Sequence, residues 1–178
     1  MKRIFRYLKG TIDKGIVYRP SYNSGVLECY ADADHGGDNM TGRSTSGVVC
    51  IYSGGAISWS SQRQQSVAIS TTEAEIVAAS ECAKKVVWLK RLLGECTTLK
   101  DMPILRVDNQ AAVRLAQNPE YHRRTKHIRL RHFFVREKVT EGELGIQHVS
   151  TEEQVADIMT KPLHFPTFKK FCKLLGLD

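Results

Sequence analysis

The sequence predicts an α/β fold: a mixed five-stranded sheet, with three antiparallel meander strands and then parallel additions, flanked by helices. Three observations predict it. Short apolar runs of β type come first and helical patterns follow. The second and third runs are joined through Ser53-Gly54-Gly55, a hairpin signal. From Ser70 onward helical and strand patterns alternate, the order that adds parallel strands to a sheet. A chain of 178 residues suits one domain with a single core.

The elements follow in order. Ile4, Phe5 and Leu8 stand at helical spacing in a first short helix that stops at Gly10. A turn-rich stretch, Arg19 to Gly25, leads into the first strand, Val26 to Asp32. Asp34 to Ser46 is polar and glycine-containing and reads as a loop. Gly47–Tyr52 and Ala56–Ser60 form the hairpin. Ser70, with Glu73 three residues later, is a capping box and opens a helix that runs to about Gly94. Ile104 to Asp108 is the fourth strand. A helix follows from Gln110 and stops before Asn118-Pro119. A basic loop and helix come next, then a fifth strand, Leu144 to Val149. Ser150-Thr-Glu-Glu starts a helix carrying Asp157, which Lys161-Pro162 ends, and Phe165 to Leu177 is a short amphipathic helix. Trp59 and Trp88 read as core residues.

Composition narrows the function classes. The net charge is +7, from 26 Lys and Arg against 19 Asp and Glu. A basic balance is compatible with nucleic acid, and its distribution carries more weight than its size. The five cysteines are widely spaced and form no Cys-x-x-Cys pair, so neither a zinc knuckle nor a disulfide framework is indicated. A reducing intracellular setting fits, in cytoplasm or nucleus. No apolar stretch approaches the roughly 18 residues that a membrane span needs, and no membrane partner is expected.

Four acids point to chemistry: Asp32, Glu75, Asp108 and Asp157. Two close strands and two sit on helical segments, so they can converge on one edge of an α/β sheet. Clustered carboxylates repel, and such a cluster suits hard divalent cations, Mg²⁺ or Mn²⁺. Glu73 is assigned to the capping box, reaching back to the Ser70 amide. Glu75, about 200° further round the helix, is therefore preferred as the ligand. Asp32 is preferred over Asp34, which reads as a turn-capping residue beside Gly36-Gly37. Asp108 alone would read as the N-cap of the next helix; its company turns the reading.

Several motifs carry a family resemblance. Tyr30-Ala-Asp-Ala-Asp, Ser46-Gly, Ile57-Ser-Trp, Ala68-Ile-Ser-Thr-Thr-Glu-Ala-Glu-Ile-Val-Ala, Val107-Asp-Asn-Gln, Arg124-Thr-Lys-His-Ile and Glu153-Gln-Val-Ala-Asp-Ile-Met-Thr-Lys-Pro-Leu resemble the ribonuclease H domain of copia-type LTR retrotransposon polyproteins. The likeness runs from about residue 25 to Leu163. It implies a ribonuclease H-like fold. It also implies that Asp32, Glu75, Asp108 and Asp157 are catalytic and hold two Mg²⁺ ions, with Mn²⁺ as a substitute. The implied substrate is the RNA strand of an RNA–DNA hybrid. The first ten residues resemble the end of a reverse transcriptase. Residues 1–20 are thus expected to be a remnant of that connection, 21–163 the ribonuclease H domain and 164–178 a helical tail. The reverse transcriptase portion is an expected partner, the cytoplasmic setting is a virus-like particle, and the isolated domain is expected to be monomeric. The family's Lys-His-Ile-Asp reads Lys126-His-Ile-Arg129 here.

Basic residues concentrate between His122 and Lys138. Phosphate contacts of this kind supply sequence-independent affinity. Arg123, Arg124 and Lys126 are the expected backbone contacts, with Arg43 as a further candidate. His127 is placed at phosphate or in the scaffold. Asn109 is a candidate contact to sugar hydroxyls, which distinguish RNA from DNA. Two metals roughly 3.5–4 Å apart can activate a water and stabilise the leaving 3′ oxygen. Two other readings stay open. One is a related strand transferase or DNA nuclease, disfavoured by the Asp–Glu–Asp–Asp order. The other is a non-catalytic or domesticated module that binds nucleic acid or a partner.

Overall fold

In the computed structural model, residues 2–19, 25–117 and 126–178 are described, with backbone only at residue 115 and residues 126–129. Strand β1 (Glu28–Ala33) pairs antiparallel with β2 (Thr45–Tyr52), which pairs antiparallel with β3 (Gly55–Arg63). The hairpin loop is two residues long, with Ser53 at φ 51° and Gly54 at φ 76°. Both central residues are left-handed, as a turn matching the twist of its strands requires. The first helix, α1 (Lys2–Lys9), has no buried residue.

Helix α2 (Thr71–Cys96) crosses over to β4 (Ile104–Val107), which lies parallel to β1. Helices α3 (Gln110–Gln117) and α4 (Lys126–Thr140) lead to β5 (Gly145–His148), parallel to β4. The sheet order is β3-β2-β1-β4-β5. This is the mixed sheet the sequence predicts. Among the described residues no helix is long and apolar enough to cross a membrane.

The sheet has a packed layer on each face. On one side Leu27, Cys29, Ala31 and Val48 meet Ala78, Ala79, Cys82 and Ala83 of α2. Small side chains let α2 lie close to the strands. On the other side α5 (Phe165–Leu174) buries Phe171 against Val49, Ala56 and Val155. The backbone bridges Ile16 to Leu177 there.

Three expectations are corrected. The segment after Ser150 is two short 3₁₀ helices, Thr151–Glu153 and Val155–Met159, rather than one helix. Gln154 separates them at φ −73°, ψ 90°. Its buried amide donates to the Ala31 carbonyl (2.9 Å), and its own carbonyl accepts from the Ala156 N–H (3.3 Å). A tertiary hydrogen bond thus overrides the residue's helical preference. Second, Trp59 and Trp88 are 53% and 58% exposed and do not belong to the core. Trp59 sits on β3, an outer strand of the sheet, and Trp88 on the outer side of α2. Third, the capping box reaches one residue further back than expected. Ser70 Oγ accepts the Glu73 N–H (3.1 Å), but the Glu73 carboxylate accepts from Ile69 (2.9 Å), not from Ser70.

Candidate metal centre

The carboxylates of Asp32, Glu75 and Asp108 each offer an oxygen within 4.8 Å of the others. Asp32 lies near the C-terminal end of β1 and is buried. Thr160 Oγ1 donates to its Oδ2. Glu75 sits in the first turns of α2, where the Ala33 N–H donates to its Oε1 (3.2 Å). Its Oε2 is buried and has no hydrogen-bond partner among the described residues. Asp108 directly follows β4. The N-cap role that it could have held falls to Asn109, whose Oδ1 accepts the Ala112 N–H (3.1 Å). Asp108 is thereby left to the cluster.

Asp157 is buried on the second 3₁₀ helix. It joins the cluster through Lys161, whose Nζ lies 2.9 Å from Asp157 Oδ1 and 3.9 Å from Asp32 Oδ2. His148 Nε2 lies 3.1 Å from the Asp108 carbonyl oxygen. Gly47 stands opposite Asp32 in the β1–β2 register. Thr160, Lys161, His148 and Gln154 were not singled out from the sequence. Gln154, Thr160 and Lys161 stand inside a quoted motif, and that was the available signal.

Burial governs the protonation of this cluster. It pushes the Glu75 carboxyl up to about 9, with Asp32 and Asp108 adding repulsion. Burial raises Asp157 to about 6, against the pull of Lys161, and burial with Asp32 nearby raises Asp108. Without a metal the folded site therefore holds protons that the unfolded chain releases. The stabilising effect is complete below the ordinary glutamate value of 4.5 and is lost as pH rises through about 9. In chelator the melting temperature should fall across that window, and Glu75→Gln should flatten the fall. Calorimetry at several pH values checks this; a wild-type profile that rises across the window would contradict it.

Every donor in the cluster is a carboxylate oxygen, the donor type hard divalent ions take, and Glu75 Oε2 is an acceptor waiting for a partner. The residues present fit such ions.

Among the described residues none of the other site candidates belongs to the cluster, although Asn109 directly follows Asp108. Arg43 is exposed in the loop before β2. Asp34 does cap that loop, accepting from the Thr45 N–H. Arg123 and Arg124 lie outside the described residues; Lys126 and His127 open α4, but their side chains are not described. The structure also unites three residues that the sequence keeps apart. Cys29, Cys50 and Cys82 place their sulfur atoms within 4.8 Å of one another, all buried. Burial pushes the Cys29 and Cys82 thiols up, so they remain protonated packing groups.

No protein-family model matches the chain. Over 177 residues, 99% of its length, the chain is 40% identical to the retrovirus-related Pol polyprotein from transposon TNT 1-94 of Nicotiana tabacum, and it spans 13% of that polyprotein. Among solved structures it is similar to LC11-RNase H1, isolated from compost. The TM-score is 0.59 at 18% identity, covering 76% of this chain and 93% of that one. The same protein in complex with an RNA/DNA hybrid gives 0.57 at 18% identity, covering 75% and 93%. Prototype foamy virus protease–reverse transcriptase gives 0.52 at 17% identity, covering 90% of this chain and 21% of that one. At these identities the structural likeness establishes a ribonuclease H-like fold.

Proposed function

We propose, from the premise that this chain is homologous along almost its whole length to one segment of transposon Pol polyproteins and has a ribonuclease H-like fold, that it hydrolyses the RNA strand of RNA–DNA hybrids. One observation carries the reading: three carboxylates from β1, α2 and the end of β4 converge within 4.8 Å, with one buried oxygen left unpartnered. Asp32, Glu75, Asp108 and Asp157 hold two divalent ions, Mg²⁺ or Mn²⁺. Bound there, such ions supply a polarised water and neutralise charge on the leaving 3′ oxygen.

The chain's own residues do the rest. The Ala33 N–H and α2 orient Glu75, and Thr160 orients Asp32. Arg43, Arg123, Arg124 and Lys126 are assigned to the phosphate backbone, with His127 beside them. Asn109 spends its carbonyl on the α3 cap, which leaves its amide N–H groups to donate to a sugar hydroxyl. Residues 21–163 form the unit that acts. The hybrid bound by LC11-RNase H1 and the protease–reverse transcriptase context of the foamy virus protein support hybrid binding and a reverse transcriptase partner.

The test is cleavage of an RNA–DNA hybrid labelled on its RNA strand, with Mg²⁺. Products ending in 3′-OH and 5′-phosphate are expected. Glu75→Gln should reduce the rate roughly a hundredfold or more. Glu73→Gln should keep most of it, because Gln completes a capping box as well. Hybrid binding by the wild type without cleavage would mean a binding module instead. The reverse ranking of the two glutamates would remove Glu75 from the centre.

A further inference from the structure

Lys161 is out of place for a surface lysine. It follows the second 3₁₀ helix, and its N–H donates to the Asp157 carbonyl (3.1 Å), a turn that sets residues 157 and 161 side by side. Its Nζ lies 2.9 Å from Asp157 Oδ1 and 3.9 Å from Asp32 Oδ2. Its neighbour Thr160 donates to the same Asp32 oxygen, across 128 residues of sequence. Among the described residues no other Lys or Arg forms an ion pair with the four acids. The side chain is 41% exposed, so it reaches the cluster from its mouth and has water behind it.

A group of buried carboxylates repels itself unless a cation is near. An ammonium is a compact charge on a flexible stem, with three rotatable donors. It can fill the place between two carboxylates and withdraw without moving the backbone. We propose that Lys161 is a built-in counter-ion of the metal centre: it bridges Asp157 and Asp32 while no divalent cation is bound, and gives them up when one binds. The proposal rests on the metal-centre reading above. It makes Lys161 a positioning residue that competes with the metal, and it separates this lysine from those that grip substrate.

Two substitutions pull in opposite directions. Lys161→Gln removes the competitor, so divalent ions should bind roughly two- to fivefold more tightly. Lys161→Arg puts a forked guanidinium, always charged, between the two acids. It should hold them at least as firmly and leave affinity equal to wild type or weaker.

The probe is Mn²⁺, titrated into the full chain at fixed pH and ionic strength and followed by the paramagnetic signal of the free ion. Asp108→Asn, which should weaken this binding, locates it. Thermal unfolding in chelator is read in parallel. Lys161→Gln should melt below wild type without metal, and its melting temperature should rise more when Mn²⁺ is added. Affinity in Lys161→Gln that is unchanged or weaker overturns the proposal while leaving the metal centre standing. Tighter binding in Lys161→Arg than in wild type also overturns it. A wild type that binds no Mn²⁺ at the acids overturns the metal-centre reading and this proposal with it.

Discussion

Asp108→Asn should cut hybrid cleavage roughly a hundredfold or more while leaving the metal-free protein as stable as wild type or more so. The activity loss follows from removing one charged ligand from a cluster whose function depends on charge. The stability result follows from the same charge. Asp108 is pushed up by burial and by Asp32, so in the absence of metal it sits among groups that repel it. Asparagine has the same shape and no charge. No structural duty is lost, because Asn109 and not Asp108 caps α3. Gel-resolved cleavage at saturating Mg²⁺ and a melting curve in chelator, taken on one preparation, read both quantities. Activity above about a tenth of wild type would take Asp108 out of the centre.

Gly47→Ala should lower stability and activity together. A Cβ at this position would lie 2.7 Å from Thr160 Cγ2, 2.8 Å from the Ala156 carbonyl oxygen and 2.9 Å from Met159 Cβ. Two of those atoms cannot swing aside, so the 3₁₀ helix carrying Asp157 must lift off the sheet. Overpacking of this kind costs about 1–3 kcal/mol. For a chain of this size that is a fall of about 2–12 °C in melting temperature. Lifting the helix also pulls Thr160 and Lys161 from Asp32. Misplacement of about 1 Å in such a centre costs on the order of a hundredfold in rate. Gly94 supplies the control. It lies in α2 with open space around its Cβ position, and Gly94→Ala should stabilise by about 1 kcal/mol. An unchanged melting temperature in Gly47→Ala would show that the helix does not press on β2.

These two positions mark where the sequence was legible and where it was not. The hairpin could be read because Ser53-Gly54 has the left-handed chemistry the turn needs, a local property. The start of α2 could be read from Ser70 and Glu73, also local, and it separated Glu75 from its neighbour. The alternation after Ser70 foretold the parallel strands. The break at Gln154 could not be read, because it is fixed by a hydrogen bond to Ala31, 123 residues away. The exposure of Trp59 and Trp88 depends on which strand ends up outermost and which side of α2 meets the sheet, and a pattern of single residues does not carry that. Lys161 looked like a helix terminator beside Pro162. Its contact with Asp32 exists only once the second 3₁₀ helix has been laid across β2.

Cys29, Cys50 and Cys82 give the fold an internal clock. They come from β1, β2 and α2, and their thiols are sealed where those elements meet. Cys96 is exposed and Cys172 partly so. An alkylating reagent added to the native protein therefore meets Cys96 first and Cys172 next, and reaches the trio only when α2 parts from the strands. Each slow labelling event counts one such opening. The same opening carries Glu75 away from Asp32, so the labelling rate of three silent core residues reports how often the metal centre comes apart.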